Sequence, residues 1–333
     1  MGTPRVSGPW ILLEVSLVKR LATASFLAAA GLVFAVPSFA QGTGRSLDIQ
    51  PGARQNGLGA AGVALAEDAA GVTWWNPAGL GFTSKPAIDL TYAQLVPGLA
   101  SDVSYNYLSW AQPMEGWGAF GLGIIFLSYG QSEGIDINNN PTGTFGSNEF
   151  SPSLNYGTRI LPDLSVGATL KYIRIQLAPN DLHGVGSTFG LDLGALYRIP
   201  AIRLDLGANL QNLGPSVTFI NEDQSSPLSR NLKVGAAWDA YRTNQFGVLV
   251  VGDYNQSLVT SDFRTYNGGL ELRVADQLAG RIGYYYDPLG EISDLTFGLG
   301  INWKGLTLDF GSIPQAKDSG LDNVKKITLG YHF

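Results

Sequence analysis

No cysteine occurs among the 333 residues, which excludes disulfides, thiolate zinc sites and cysteine nucleophiles. Histidine is nearly absent too, with only His183 and His332, so metal or triad chemistry has little to draw on. Charged residues reach just 14%, against roughly 25% in ordinary soluble domains. The net charge of −6 is opposite to the basic face that nucleic acid requires, so no nucleic-acid partner is expected. Beyond residue 40 no apolar run approaches the ~20 residues of a transmembrane helix. What the chain does have is 43 glycines, 11% aromatics and 45% hydrophobic residues. That mixture argues against disorder, coiled coils and a highly charged soluble enzyme.

The first forty residues read as an export signal. Lys19-Arg20 precede an apolar run from Leu21 to Val36, and Ser38-Phe39-Ala40 is a small-x-small cleavage site. Cleavage is expected after Ala40. The residues before Val18 fit no signal peptide, so Val18 is the expected start of translation. An exported chain without an apolar helix is periplasmic, secreted or an outer-membrane barrel.

From Ala87 onward the pattern has period two, the mark of strands with two unlike faces. Ile202, Leu204, Leu206, Ala208 and Leu210 alternate with Arg203, Asp205, Gly207, Asn209 and Gln211. Leu295, Phe297, Leu299, Ile301 and Trp303 interleave with Thr296, Gly298, Gly300 and Asn302. Such runs begin near residues 87, 102, 116, 149, 163, 186, 201, 230, 244, 263, 277, 294, 305 and 323. Each is about ten residues, the length of a tilted membrane-crossing strand. Tyr197, Trp238, Tyr286 and Trp303 near run ends suit an interfacial girdle.

The gaps between runs alternate long and short. Ser128–Asn148, Ala178–Gly186 and Leu213–Ser229 are long; Leu161–Asp163, Ile199–Ala201 and Lys304-Gly305 are short. Long extracellular loops opposite short periplasmic turns characterise outer-membrane barrels, and with both termini on the periplasmic side the strand number is even. The expected fold is therefore all-β: a transmembrane antiparallel β-barrel of about 14 strands over residues 87–333, with a short, partly helical plug over 41–86. The last strand closes on Tyr331 and Phe333, which resemble the sorting signal that outer-membrane proteins present to the barrel-assembly machinery.

With the apolar parity against lipid, Asp192, Arg203, Asp205, Lys233, Asp239, Glu271, Arg273, Arg281 and Asp309 face the lumen. Four are positive and five negative, so they suit an ion-pair network better than a charge-selective ring. Arg174 breaks the parity and belongs near a strand end or bulge.

Gly42–Pro86 has no alternation and is rich in glycine and alanine. Gly57-x-Gly59-x-x-Gly62 formally matches a dinucleotide fingerprint, but no strand precedes it and no βαβ unit follows. Ala61–Ala70 is compatible with a short helix, and Asn76-Pro77 starts a turn. Gly52-Ala53-Arg54, Gly57-Leu58-Gly59 and Trp75-Asn76-Pro77-Ala78-Gly79-Leu80 resemble the N-terminal hatch of the PorV/PorQ family, within the FadL-like superfamily. The resemblance implies fourteen strands behind a hatch; with no cysteine and two histidines, no catalytic residues, cofactor or metal are expected. It implies one of two roles: binding cargo proteins or the translocon of a type IX secretion route, or passive transport of hydrophobic small molecules. For the first, the long loops are the candidates, with Phe145, Phe219 and Ile220 among polar neighbours. A hydrolase would need a serine, a histidine and an acid together.

Overall fold

Residues that alternate between apolar and polar can satisfy their backbone in lipid only by closing into a barrel, because an open edge would leave unpaired N–H and C=O groups in hydrocarbon. The computed structural model describes residues 42–136, 138–179, 183–219, 225–316 and 319–333; the expected signal over 1–40, the Val18 start and Ile220 lie outside them. It contains fourteen antiparallel strands: β1 (Ala87–Val96), β2 (Ala100–Met114), β3 (Gly118–Ile135), β4 (Pro141–Leu161) and β5 (Leu164–Gln176). Next come β6 (Val185–Ile199), β7 (Leu204–Leu213), β8 (Asn231–Arg242), β9 (Phe246–Ser257) and β10 (Arg264–Val274). The last are β11 (Leu278–Asp287), β12 (Ile292–Trp303), β13 (Leu306–Ile313) and β14 (Val324–His332). Each strand pairs with its sequence neighbours, and β1 pairs β14 from Ala87↔His332 to Gln94↔Lys325, closing the barrel.

The outward face is apolar, with Leu90, Leu122, Leu170, Leu206, Leu272 and Phe297 exposed. Aromatic rings mark both borders. Tyr254, Tyr266 and Tyr286 stack in a row toward the long-loop end, at centroid spacings of 5.2 and 6.1 Å. At the short-turn end the Tyr156 hydroxyl donates to the Trp117 carbonyl and the Trp238 indole to the Ile202 carbonyl. Such half-polar rings suit the interface between lipid and water.

Three local expectations change. Ser128–Asn148 is largely not a loop: β3 and β4 stay paired out to Ile135↔Pro141. Their other neighbours leave at Val103↔Tyr129 and Asn148↔Gln176. The pair therefore rises beyond the rim as a two-stranded ribbon whose two faces both meet water, which is why no alternation announces it. Ala61–Ala70 is not a helix; the α-helix is Ala53–Gly57, and a π-helical stretch covers Gly71–Trp75. Arg203 is not luminal, because β7 begins one residue later and Arg203 sits exposed in the short turn with φ 54°.

Candidate functional site

Residues 42–86 lie inside the barrel and run from one mouth to the other. At the long-loop mouth Thr43 forms a parallel bridge with Leu228, its amide donating to the Pro227 carbonyl at 2.7 Å. The Ser46 amide donates to Glu149 at 2.9 Å, and Asp48 accepts from Ser229 and Asn231. Further along, the Ala53 amide donates to Thr328 and the Gly59 amide to Thr296, each at 2.8 Å. Asp253 on β9 accepts the amides of Gly62 and Val63, and Asp89 on β1 accepts that of Ala70. A 3-10 helix, Pro77–Phe82, then crosses β4, β5 and β6 before the chain enters β1. Phe82 lies under the Arg198 guanidinium at 4.0 Å.

The hatch residues singled out by sequence are all buried. Asn76 is fully enclosed. Its amide donates to the carbonyls of Val63 and Ala195, and its oxygen accepts from the Ala78 amide. Pro77 at the first helical position has no N–H to leave orphaned. Trp75 meets Trp74 edge-on at 4.9 Å and donates to the Pro51 carbonyl. Gly57 lies against the backbone of Gly298, and Gly59 adopts φ +76° between the carbonyls of Gly268 and Tyr284. On the wall, a side chain at Gly167 would collide with the carbonyl of Pro77, and one at Gly283 with the backbone of Leu58 and Gly59. Alternation does not mark these inward glycines as special; they are where two backbones touch.

The luminal charges fall into four groups. Glu271, with no exposed surface, is gripped by three guanidiniums: Arg54 at 2.9 Å, Arg281 at 2.6 Å and Arg273. Arg54 also meets Glu67 at 2.7 Å and Asp68 at 3.4 Å, Arg273 meets Glu67 at 2.9 Å, and Arg281 meets Asp309. Asp192 pairs with Lys171 at 2.8 Å, and Lys171 also donates to Asn212. Lys233 donates to Asn255 and lies 5.3 Å from the Trp74 ring. Asp205 and Asp239 pair with Arg198 and Arg242 near the short-turn rim. Sequence reasoning quoted Arg54 only as part of the hatch motif and did not place it, Glu67 or Asp68 in a charge cluster, although they are the only charges between residues 49 and 84, and that isolation was the available signal. It also missed Lys171, Asp253 and Asp89, whose partners lie on other elements.

Glu67 shows what the cluster does electrostatically. Burial alone would push its carboxyl up, but the guanidiniums of Arg54 and Arg273 outweigh burial and hold it at about 2. Asp48, at the other mouth, goes the opposite way: burial raises its carboxyl against the pull of Ser229 and Arg45.

Above this charged zone an apolar cluster packs between the buried charges of Glu149, Lys171, Asp192 and Lys233. Leu47, Trp74 and Trp75 pack with Tyr105, Tyr107, Ile125, Leu127, Ile173 and Ile175 of the wall and with Val217 and Leu228 of the β7–β8 loop; Phe219 packs beside them. On β5 the inward positions here carry Ile173 and Ile175, so Arg174 points outward two residues from the strand's long-loop end. Two cavities, of about 370 and 240 Å³, open instead at the short-turn mouth. The larger is lined by Arg54, Glu67, Asp89, Arg273, Arg281 and Asn302 among others. His183 is exposed at the long-loop end and His332 lies at the short-turn rim, so the two histidines stand apart. Tyr331 and Phe333 are exposed and meet edge-on at 4.8 Å.

Residues 42–263 match the family described as type IX secretion system protein PorV. No curated protein sequence matches the chain. Among solved structures, the toluene transporter TbuX of Ralstonia pickettii is 16% identical with a TM-score of 0.58, over 85% of this chain and 98% of that one. The toluene transporter TodX of Pseudomonas putida is 13% identical with a TM-score of 0.55, over 90% and 98%. A FadL homologue of Pseudomonas aeruginosa is 11% identical with a TM-score of 0.50, over 85% and 98%. At these identities the likeness is one of fold.

Proposed function

The chain belongs to the PorV family of type IX secretion system proteins, and from that premise we propose that it is an outer-membrane barrel that binds proteins at its long-loop mouth while residues 41–86 act as a hatch. The observation that carries this reading is the filled lumen. Leu47, Trp74 and Trp75 occupy the long-loop half together with wall and loop side chains. The open space lies at the other end and is lined with charge. A conduit for hydrophobic molecules needs the reverse, an apolar pocket beneath the loops.

The partners in this reading are secreted cargo proteins or translocon components. Phe145 on the β3–β4 ribbon and Phe219 on the β7–β8 loop are the apolar contact candidates. Processing after Ala40 delivers the chain to the outer membrane. Tyr331 and Phe333 serve the barrel-assembly machinery, and no catalytic, cofactor or metal role is assigned.

A second reading, passive transport of hydrophobic small molecules, is favoured by the likeness to the toluene transporters. It requires Leu47 and Leu228 to part and the hatch to move. Native mass spectrometry of protein extracted gently from its own outer membrane separates the two. A stoichiometric protein partner and no small apolar mass is the expected result. A stoichiometric apolar ligand without a protein partner would overturn it in favour of transport.

A further inference from the structure

The first described residues of the chain are at the long-loop mouth, not at the mouth where β1 begins. Thr43 is bridged to Leu228 and hydrogen-bonded on both sides, its amide to Pro227 and its carbonyl from the Ser229 amide. Gly42 lies so close to the Ser229 backbone that any side chain there would collide with it. A plug that leads directly into β1 would be expected to enter from the mouth where β1 begins; here the segment instead descends from the opposite mouth, and its later part, Pro77–Phe82, is what lies near the short turns.

We infer that the processed chain presents its amino terminus at the cell-surface mouth, stitched into the β7–β8 loop, so that a protein gripping this loop also grips the hatch. The inference rests on the outer-membrane orientation adopted above but not on which partner binds. It also bears on processing. A single residue, Gln41, separates Ala40 from Gly42 and spans at most about 3.6 Å. An uncleaved apolar segment held in the inner membrane would have to reach across the outer membrane, whose hydrocarbon core alone is about 30 Å thick. The geometry is therefore incompatible with residues 1–40 remaining anchored in the inner membrane once the barrel has assembled, in keeping with cleavage after Ala40.

The absence of cysteine makes the test clean. A short epitope is inserted between Gln41 and Gly42, and intact cells are probed with antibody, with the mass of the purified barrel recorded. Expected are antibody binding without permeabilisation and a mass lacking residues 1–40. Binding only after the outer membrane is opened, in a barrel that still migrates as folded, would overturn the inference. Should the insertion block assembly, the pair Thr43→Cys with Leu228→Cys decides, since bridge partners lie within the roughly 4.4–6.8 Å that a disulfide spans. A mild oxidant should then convert most of the folded protein to a faster-migrating, reducible form. Two free thiols in a folded barrel would refute the stitching. Thr144→Cys on the ribbon and Glu115→Cys in a short turn report the orientation. A bulky maleimide should reach the first in intact cells and not the second; the opposite pattern would place the terminus on the periplasmic side. Because none of these readouts involves cargo, they stand or fall separately from the binding role.

Discussion

Asn76 concentrates three jobs in one buried side chain. It caps the helix that follows, and it ties that helix to Val63 of the hatch and Ala195 of β6. Leucine has the same branched heavy-atom skeleton, is bulkier, and has none of the hydrogen-bonding capacity. Asn76→Leu leaves the two carbonyls and the Ala78 amide unpaired, at about 1–3 kcal/mol for each buried group left without a partner. The expected outcome is a folded barrel with a loosened hatch, read as increased sensitivity of cells to large antibiotics. Glu271 is the corresponding point in the wall. Glu271→Gln leaves three guanidiniums facing one neutral amide, and breaking a buried ion pair from one side costs about 3–5 kcal/mol. A fall in the temperature at which the folded form is lost would check it. Asn76 was legible because Asn-Pro is turn chemistry that any reader can find. The partner of Arg54 was not, since it lies 217 residues away, and only the closed barrel brings the two together.

At the scale of elements, the strands announced themselves wherever one face met lipid and the other the lumen. The β3–β4 ribbon did not, because both its faces meet water. Removing residues 131–146 and joining the strands by a short turn should leave barrel stability nearly unchanged while weakening capture of the secretion partner, measured by co-purification. The stretch 61–70 reads as helical by composition, but its amides are taken by Asp253 and Asp89. A helix over 61–70 would have bonded the Ala70 amide internally, whereas the Gly62 and Val63 amides, in what would be its unbonded first turn, needed an outside acceptor in any case.

The two ends of the hatch answer acid in opposite directions. Glu67 is held well below its ordinary value, so its contribution is complete above about pH 4.5 and disappears as the pH falls toward about 2. Asp48 is raised, so lowering the pH relieves the cost of burying its charge. Hydrogen exchange followed from pH 6 to 3 should rise first around residues 62–75 and not around 43–48. Equal loosening at both ends would contradict this assignment.

At the scale of the whole molecule, the seam between β1 and β14 holds the barrel shut, and its last contact is the Phe333 amide donating to the Pro86 carbonyl at 3.0 Å. Deleting Phe333 removes that bond and an edge-to-face pair with Tyr331, worth about 1 kcal/mol. The folded barrel should survive, while the fraction reaching the folded form in cells drops several-fold, measured by heat-resistant migration. The closed cylinder was legible from the alternating gap lengths and the matched ends. The path of residues 42–86 through it was not, because glycine-rich backbone carries no direction in its sequence pattern. That path also makes plug and seam depend on each other. The strip is hydrogen-bonded to Asp89 on β1 and to Thr328 on β14, the two strands that close the cylinder. Seated inside, it acts as a clasp that grips both edges of the wall across their join.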